Sequence, residues 1–105
     1  MARIGFVMKL KPGCEAAYKE RHDRIWPELA RQIRDSGIRN YSIFRHGLLL
    51  FAYYETDNPE PGRKHGSREV SDLTRQWWKS MEPLMEYNPD GTPWRQDIEE
   101  VFHID

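Results

Sequence analysis

The sequence lacks paired cysteines and a long apolar run. Cys14 is its single cysteine and cannot form a disulfide within the chain. The N-terminal stretch MARIGFVMKLK has none of the long apolar run of a signal peptide or membrane span. These features predict a cytoplasmic protein with no membrane partner.

The sequence also lacks an excess of charge of either sign. Lys and Arg number 16 against 17 Asp and Glu, a formal charge of -1, and neither sign forms a long block. The most basic stretch, Gly62 to Arg68, holds too few charges among its glycines to follow a phosphate backbone and is typical of a solvated loop. The charge pattern therefore argues against nucleic acid and anionic membrane as partners.

The motifs of common cofactors are missing as well. The four histidines form no i, i+4 pair, and no Cys/His spacing typical of zinc sites is present. No phosphate-binding glycine loop precedes a helix. The sequence predicts neither a metal nor a cofactor, although haem bound through a histidine stays open on a fold of this class.

What the sequence does contain is the pattern of one small domain over residues 1–105. Arg3 to Leu10 alternate as a strand whose inner face carries Ile4, Phe6, Met8 and Leu10, and a turn follows. A helix begins near Cys14 and ends at a glycine cap, Gly37. Pro27 predicts a kink in this helix, near Arg24 to Pro27.

The second half of the chain predicts two further strands, a loop, a second helix and a last strand. Asn40 to His46 and Leu48 to Glu55 read as two strands joined by a tight hairpin at Gly47. A loop over Thr56 to Arg68, a helix over about Glu69 to Met85 and a last strand over Ile98 to Ile104 follow. The sequence thus predicts four strands and two helices.

The order βαββαβ predicts an α+β fold of the ferredoxin-like, split-βαβ type: an antiparallel sheet with two helices on one face. The strand from Leu48 is apolar on both of its faces, so the second sheet face needs cover. Pairing of two sheets in a homodimer would supply it.

His22 is the residue in this pattern that most clearly suggests a catalytic role. It shares the apolar arc of the first helix with Tyr18, one turn away, and Ile25. One interpretation is a buried histidine that only hydrogen-bonds a tyrosine or a backbone carbonyl. The other is general acid-base catalysis, because a neutral imidazole passes protons in both directions. Tyr41 joins this region only if its strand register turns it toward the helices.

Trp77 and Trp78 form the second informative pattern. Neighbouring helical residues point about 100° apart, so Trp77 falls in the middle of the buried arc and Trp78 at its edge. An indole at a pocket rim suits the C–H face of a sugar ring, and its N–H suits a hydroxyl. Structural packing alone is the alternative interpretation.

Five stretches together resemble the L-rhamnose mutarotase family: RHDRIWPEL, NYSIF, RQWWKSM, NPD and EEVFHI. The resemblance covers nearly the whole chain. It implies a cytoplasmic, dimeric α/β-barrel enzyme without a cofactor that interconverts the α and β anomers of L-rhamnose. By the same resemblance, His22 is the proton donor, and the sugar-contacting residues are Tyr18, Tyr41, Trp77 and Trp78.

The reaction itself is consistent with so small a set of chemical groups. Mutarotation already proceeds in water, and one placed acid or base contributes roughly 10²- to 10⁴-fold. Because fold does not fix function, two alternatives remain. One is a cofactor-free monooxygenase or haem-degrading protein of the same scaffold, and the other is a non-catalytic sugar-binding module.

Overall fold

The computed structural model of the chain describes residues 2–57 and 71–105. These form a mixed α+β fold with a four-stranded sheet. The elements in chain order are β1 (Ala2–Lys9), α1 (Glu15–Asp23), α2 (Pro27–Asp35), β2 (Ile38–His46), β3 (Leu49–Thr56), α3 (Asp72–Met81), a 3-10 turn (Glu82–Leu84) and β4 (Gln96–Ile98).

The sheet has the order β2-β3-β1-β4, and all of its pairings are antiparallel. β1 and β3 are therefore central, with Phe6 opposite Ala52 and Met8 opposite Leu50. These four side chains are buried, as the period-two alternation of β1 predicted. The element order and the antiparallel sheet confirm the predicted βαββαβ arrangement in its general form.

The helices cover this inner face of the sheet. Tyr18 of α1, Leu29 of α2, and Trp77 and Met81 of α3 are buried in one cluster with the inner residues of β1 and β3. Ile25 and Ile33, also on the predicted arc, pack partly buried against the cluster. The helical periodicity thus identified the core-facing side correctly.

The first helix differs from its prediction, because it is broken into two rather than kinked. α1 ends at Asp23, and Pro27 is the first residue of α2. Trp26 has the extended conformation (φ -59°, ψ 129°) that a following proline favours. Pro27 thus starts a new helix at a position where its missing N–H costs nothing.

The second predicted helix has different ends. Asp72 begins α3, and the Ser71 hydroxyl accepts a hydrogen bond from the Thr74 N–H (3.1 Å), a serine N-cap. α3 ends at Met81, since Pro83 follows in the 3-10 turn. The predicted start at Glu69, like most of the loop predicted over Thr56 to Arg68, lies outside the described residues.

The last strand was predicted wrongly at Ile98 to Ile104. β4 is Gln96–Ile98, paired with Gly5 to Val7. A side chain at Gly5 would lie 3.3 Å from Ile98, so glycine permits this close pairing. After β4, the Glu100 carboxylate forms an ion pair with the Arg3 guanidinium (2.7 Å). This segment was predicted to pair as a strand, but here a side-chain contact links it to β1.

β2 contains a bulge that changes which face its residues occupy. Arg39 lies opposite Glu55 and Ser42 opposite Tyr53, so two residues of β2 oppose Tyr54 alone. One of them is Asn40, in the left-handed region (φ 53°), which asparagine tolerates better than most residues. Tyr41 alternates with Ile43 and lies on the inner face, where its ring is 5.5 Å from that of Tyr54. The extra residue brings Ile38, which precedes the bulge, to the same face.

The opposite sheet face carries a set of apolar residues among polar ones, and we call this apolar set the open face. It consists of Val7 on β1, Phe44 on β2, Leu49 and Phe51 on β3, and Ile98 on β4. Phe44 is 67% exposed and Phe51 37%. None of the helices in residues 2–57 and 71–105 has the length and apolar character needed to cross a membrane.

Candidate active site

A pocket lies between the helices and the inner face of the sheet. Its empty volume is about 400 Å³ including the open mouth. Because this volume includes open solvent, the lining residues rather than the size mark the pocket as a candidate site.

All five sequence-predicted site residues line this pocket. α1 contributes Tyr18 and His22, the bulged strand β2 contributes Tyr41, and α3 contributes Trp77 and Trp78. The structure therefore brings together residues that are up to 60 positions apart in the sequence. Their contributions to catalysis and binding stay predictions.

The His22 ring is fixed by contacts on three sides. Its Nδ1 lies 3.0 Å from the Tyr18 backbone carbonyl, one helical turn earlier. Its ring centroid lies 4.2 Å from that of Tyr18 and 5.4 Å from that of Trp77, which meets it edge-on at 85°. A carbonyl only accepts hydrogen bonds, so Nδ1 carries the proton and Nε2 carries the lone pair of the neutral ring.

Burial lowers the pKa of His22 below its ordinary value of 6.5, because the half-buried ring loses solvation in its charged form. The hydrogen bond to Tyr18 and the nearby charge of Asp23 oppose this shift with smaller effects. The imidazole is therefore neutral at pH 7. It is a base at Nε2, and an acid once it has taken up a proton there.

The tyrosines of the pocket are neutral hydrogen-bond donors. Burial raises the pKa of Tyr18 well above its usual value and that of Tyr41 to about 12. Tyr41 keeps 38% of its surface exposed, and Tyr18 keeps 6%. Neither phenol loses its proton near neutrality, so neither supplies a strong base.

The tryptophans differ in exposure as their helical positions predicted. Trp77 is 9% exposed and packs edge-on against Trp26 at 5.1 Å, whereas Trp78 is only half-buried. Both reach the pocket. Trp77 therefore serves the core and the pocket together, and Trp78 lies nearer the rim.

The remaining lining residues were not identified as site residues from the sequence. They are Met8, Ile43, Met81, Met85, Tyr87 and Pro93. Met8 was recognised only as an inner residue of the first strand. Tyr87 and Pro93 belong to the stretch YNPDGTPW, which is rich in turn residues. The aromatic residues flanking that turn were the available signal for a hairpin wall.

Within the described residues, no group of three or more His, Cys, Asp and Glu side chains is arranged to hold a metal ion. What the described pocket offers is one neutral imidazole, tyrosine hydroxyls, indole rings and an apolar lining. These groups are suited to binding a small polyhydroxy ligand and to transferring protons to and from it. The fold and pocket thus define a small α+β protein with a pocket whose side chains suit acid-base chemistry.

Comparison with known proteins identifies the family. A family model described as L-rhamnose mutarotase matches residues 3–104. The L-rhamnose mutarotase of Mannheimia succiniciproducens is 40% identical over 107 residues, and that of Opitutus terrae is 42% identical over 107 residues, with 100% of each chain covered in both cases. The chain belongs to the L-rhamnose mutarotase family, as its resemblance predicted.

A solved structure agrees with this assignment. The crystal structure of the L-rhamnose mutarotase from Formosa agariphila matches this fold with a TM-score of 0.87 and 36% sequence identity. The match covers 100% of both chains. The family assignment therefore rests on both sequence and structural similarity.

Proposed function

We propose that this protein interconverts the α and β anomers of L-rhamnose by general acid-base catalysis in the pocket. The family match supports the reaction and the sugar. The observation that carries the mechanism is the His22 ring, held by the Tyr18 carbonyl so that the basic nitrogen is Nε2. The reaction needs no group beyond those lining the pocket.

Ring opening starts with neutral His22. Nε2 takes the proton of the anomeric hydroxyl, the C1–O5 bond breaks as the aldehyde forms, and the imidazolium returns the proton to O5. Both oxygens are bonded to C1, so one nitrogen reaches each in turn. Rotation about the C1–C2 bond and the reverse steps give the other anomer. His22 is thus the proton donor to the ring oxygen and also the base that precedes it.

The other predicted residues bind the sugar in this proposal. Tyr18 and Tyr41 donate hydrogen bonds to sugar hydroxyls, because burial keeps both phenols protonated. Trp77 and Trp78 contact the C–H face of the ring. The same raised pKa values make a tyrosine an unsuitable partner base, which supports His22 in both roles.

NMR saturation transfer between the two anomeric protons of L-rhamnose tests the proposal. The wild-type protein should accelerate the exchange. His22→Ala should lose roughly 10²- to 10⁴-fold of the added rate, the contribution of one positioned acid-base group. Circular dichroism would establish that the variant is folded.

His46→Ala is the matched control, since His46 is exposed at the end of β2 and does not line the pocket. It should exchange the anomers at the wild-type rate. A folded His22→Ala protein with undiminished exchange would reject the role of His22. Sugar binding by the wild type without faster exchange would instead favour a binding module.

We further propose that two chains pair through their open faces into a dimeric α/β barrel. The open face exposes Phe44 and Phe51. The segment after β4 adds Val101, Phe102 and Ile104, which are 85%, 77% and 77% exposed. Large exposed apolar side chains in this number are typical of an interface. A cytoplasmic location belongs to the same proposal, supported by the single, free cysteine.

A further inference from the structure

Tyr87 lies on a short hairpin that forms one wall of the pocket. Residues 86–94 make this hairpin, in which Tyr87 is bridged to Pro93. The Trp94 N–H donates to the Glu86 carbonyl (3.1 Å). The Asn88 N–H donates to the Thr92 carbonyl (2.8 Å) and closes the turn. The wall is therefore a braced element of the fold.

The side chain of Tyr87 is braced as well. Its hydroxyl donates a hydrogen bond to the Trp78 backbone carbonyl in α3. The hydroxyl proton is thus directed at the protein, and the half-buried ring is what Tyr87 contributes to the pocket wall. Unlike Tyr18 and Tyr41 in the proposed mechanism, Tyr87 has its proton engaged already.

The pocket lining also includes apolar side chains. Met81 and Met85 come from the end of α3 and the segment after it, and Pro93 is the bridge partner of Tyr87. The hairpin wall itself, formed by the ring of Tyr87 and by Pro93, offers the pocket no free hydroxyl proton. L-Rhamnose has a substituent that suits such a wall, because its C5 methyl group is the one substituent of its ring without an oxygen.

We propose that the ring of Tyr87 limits the substituent accepted at C5 of the sugar, so that the pocket prefers L-rhamnose to L-mannose. This inference rests on the proposed function. L-Mannose is the same sugar with a hydroxyl on C6. At the hairpin wall, the C6 hydroxyl of L-mannose would lose its hydrogen bonds to water and contact the aromatic ring of Tyr87, which costs free energy of binding. An apolar wall rejects an added hydroxyl by at most about 10²-fold.

Three sugars test the proposal because they differ only at C5: L-lyxose carries hydrogen, L-rhamnose methyl and L-mannose hydroxymethyl. Anomer exchange would be measured as kcat/KM for each. The wild type should prefer L-rhamnose to L-mannose by about 10- to 100-fold. Tyr87→Ala should reduce this preference about tenfold or more, mainly through a higher rate on L-mannose. The rate on L-lyxose reports general damage to the site.

Tyr87→Phe is the matched control, because it removes the hydroxyl and keeps the ring. It should retain the preference. An unchanged preference in folded Tyr87→Ala overturns the proposal, and so does an equal loss in Tyr87→Phe, which would assign the effect to the bond with Trp78. If Tyr87→Ala does not fold, Tyr87→Leu takes its place with a smaller expected change.

The two proposals fail in distinguishable ways. A wild-type protein that does not accelerate L-rhamnose exchange contradicts the proposed function. A wild-type protein that does, with a sugar preference insensitive to residue 87, contradicts only the inference about Tyr87.

Discussion

At the scale of single residues, the two ring nitrogens of His22 have different environments. Nδ1 is bonded to the Tyr18 carbonyl, and burial lowers the pKa of the ring. A neutral ring with its lone pair on Nε2 begins the proposed reaction as a base. Protonation of the free enzyme at low pH therefore stops the reaction.

The pH dependence of kcat/KM follows from the sign of this shift. Because the pKa of His22 lies below 6.5, the ring stays neutral as the pH falls past 6.5. The acid limb of the profile, after subtraction of the exchange in buffer alone, should have an apparent pKa below 6.5. His22→Ala should lose that limb. An acid limb above 6.5 would contradict a desolvated, neutral histidine.

The same shift links His22 to stability. Between pH 6.5 and the lower pKa of the folded state, the unfolded chain binds a proton at His22 and the folded chain does not. The free energy of unfolding contributed by His22 is thus fully present above 6.5 and falls as the pH drops through this window. His22, which the proposed reaction requires, therefore lowers the free energy of unfolding at acid pH.

Sequence patterns predicted which side chains face the pocket where a residue's direction depends on its own helix. Tyr18, His22, Trp77 and Trp78 point to the pocket because helical periodicity fixes which side each occupies. Tyr87 was missed because its direction depends on a hairpin that pairs through a single bridge, Tyr87 to Pro93. Turn residues make up most of that stretch, so its sequence shows no strand pattern from which the direction of Tyr87 could be predicted.

At the scale of elements, the hairpin register gives Tyr41 its face, and a bulge lies directly beside it. Tyr41 alternates with Ile43, which lies opposite the inner residue Ala52. The bulge, with Asn40 at φ 53°, brings Ile38 to the same face although it is three residues from Tyr41. Since the sequence does not reveal the register, the face of Tyr41 was left open.

Asn40→Val should therefore affect both stability and sugar binding. A β-branched residue in the left-handed region costs roughly 1–2 kcal/mol, and escape from it would move Tyr41. We expect urea unfolding to show this loss and the KM for L-rhamnose to rise.

Asn40→Gly is the control for this substitution, because glycine accepts the left-handed conformation while losing the hydrogen bond from Asn40 to Glu55 (3.1 Å). It should keep the KM near that of the wild type. A normal KM in Asn40→Val would show that the bulge does not position Tyr41.

The errors in the predicted elements have local causes. Pro27 starts a helix because Trp26 adopts an extended conformation, and a periodic pattern alone does not distinguish a break from a kink. The apolar residues after Ile98 resemble a strand, but they pair with no strand of residues 2–57 and 71–105. Their exposure fits a surface that a second chain would cover.

At the scale of the whole molecule, the open face and the segment after β4 together predict the oligomeric state. Phe51 lies in the middle of the open face, on a central strand. A carboxylate there would be buried against apolar residues in the proposed dimer. Phe51→Glu should therefore convert the protein from a species of twice 12.6 kDa to one of 12.6 kDa, as measured by light scattering after size exclusion.

Gln76→Glu is the charge-matched control, because Gln76 is exposed on α3, on the helical side of the sheet. It should leave the mass of the wild-type species unchanged. A wild-type mass of 12.6 kDa at micromolar concentration would refute the paired-sheet barrel.

The anchor of the His22 ring is a main-chain oxygen, and this has an evolutionary consequence. Any amino acid at position 18 that preserves α1 supplies the same carbonyl, so substitutions in the pocket alter sugar preference without disturbing the tautomer of His22. In the proposed mechanism, the side chains that bind the sugar can therefore change while the tautomer of His22 stays the same. We expect related proteins to differ in the pocket lining and to share this contact within α1.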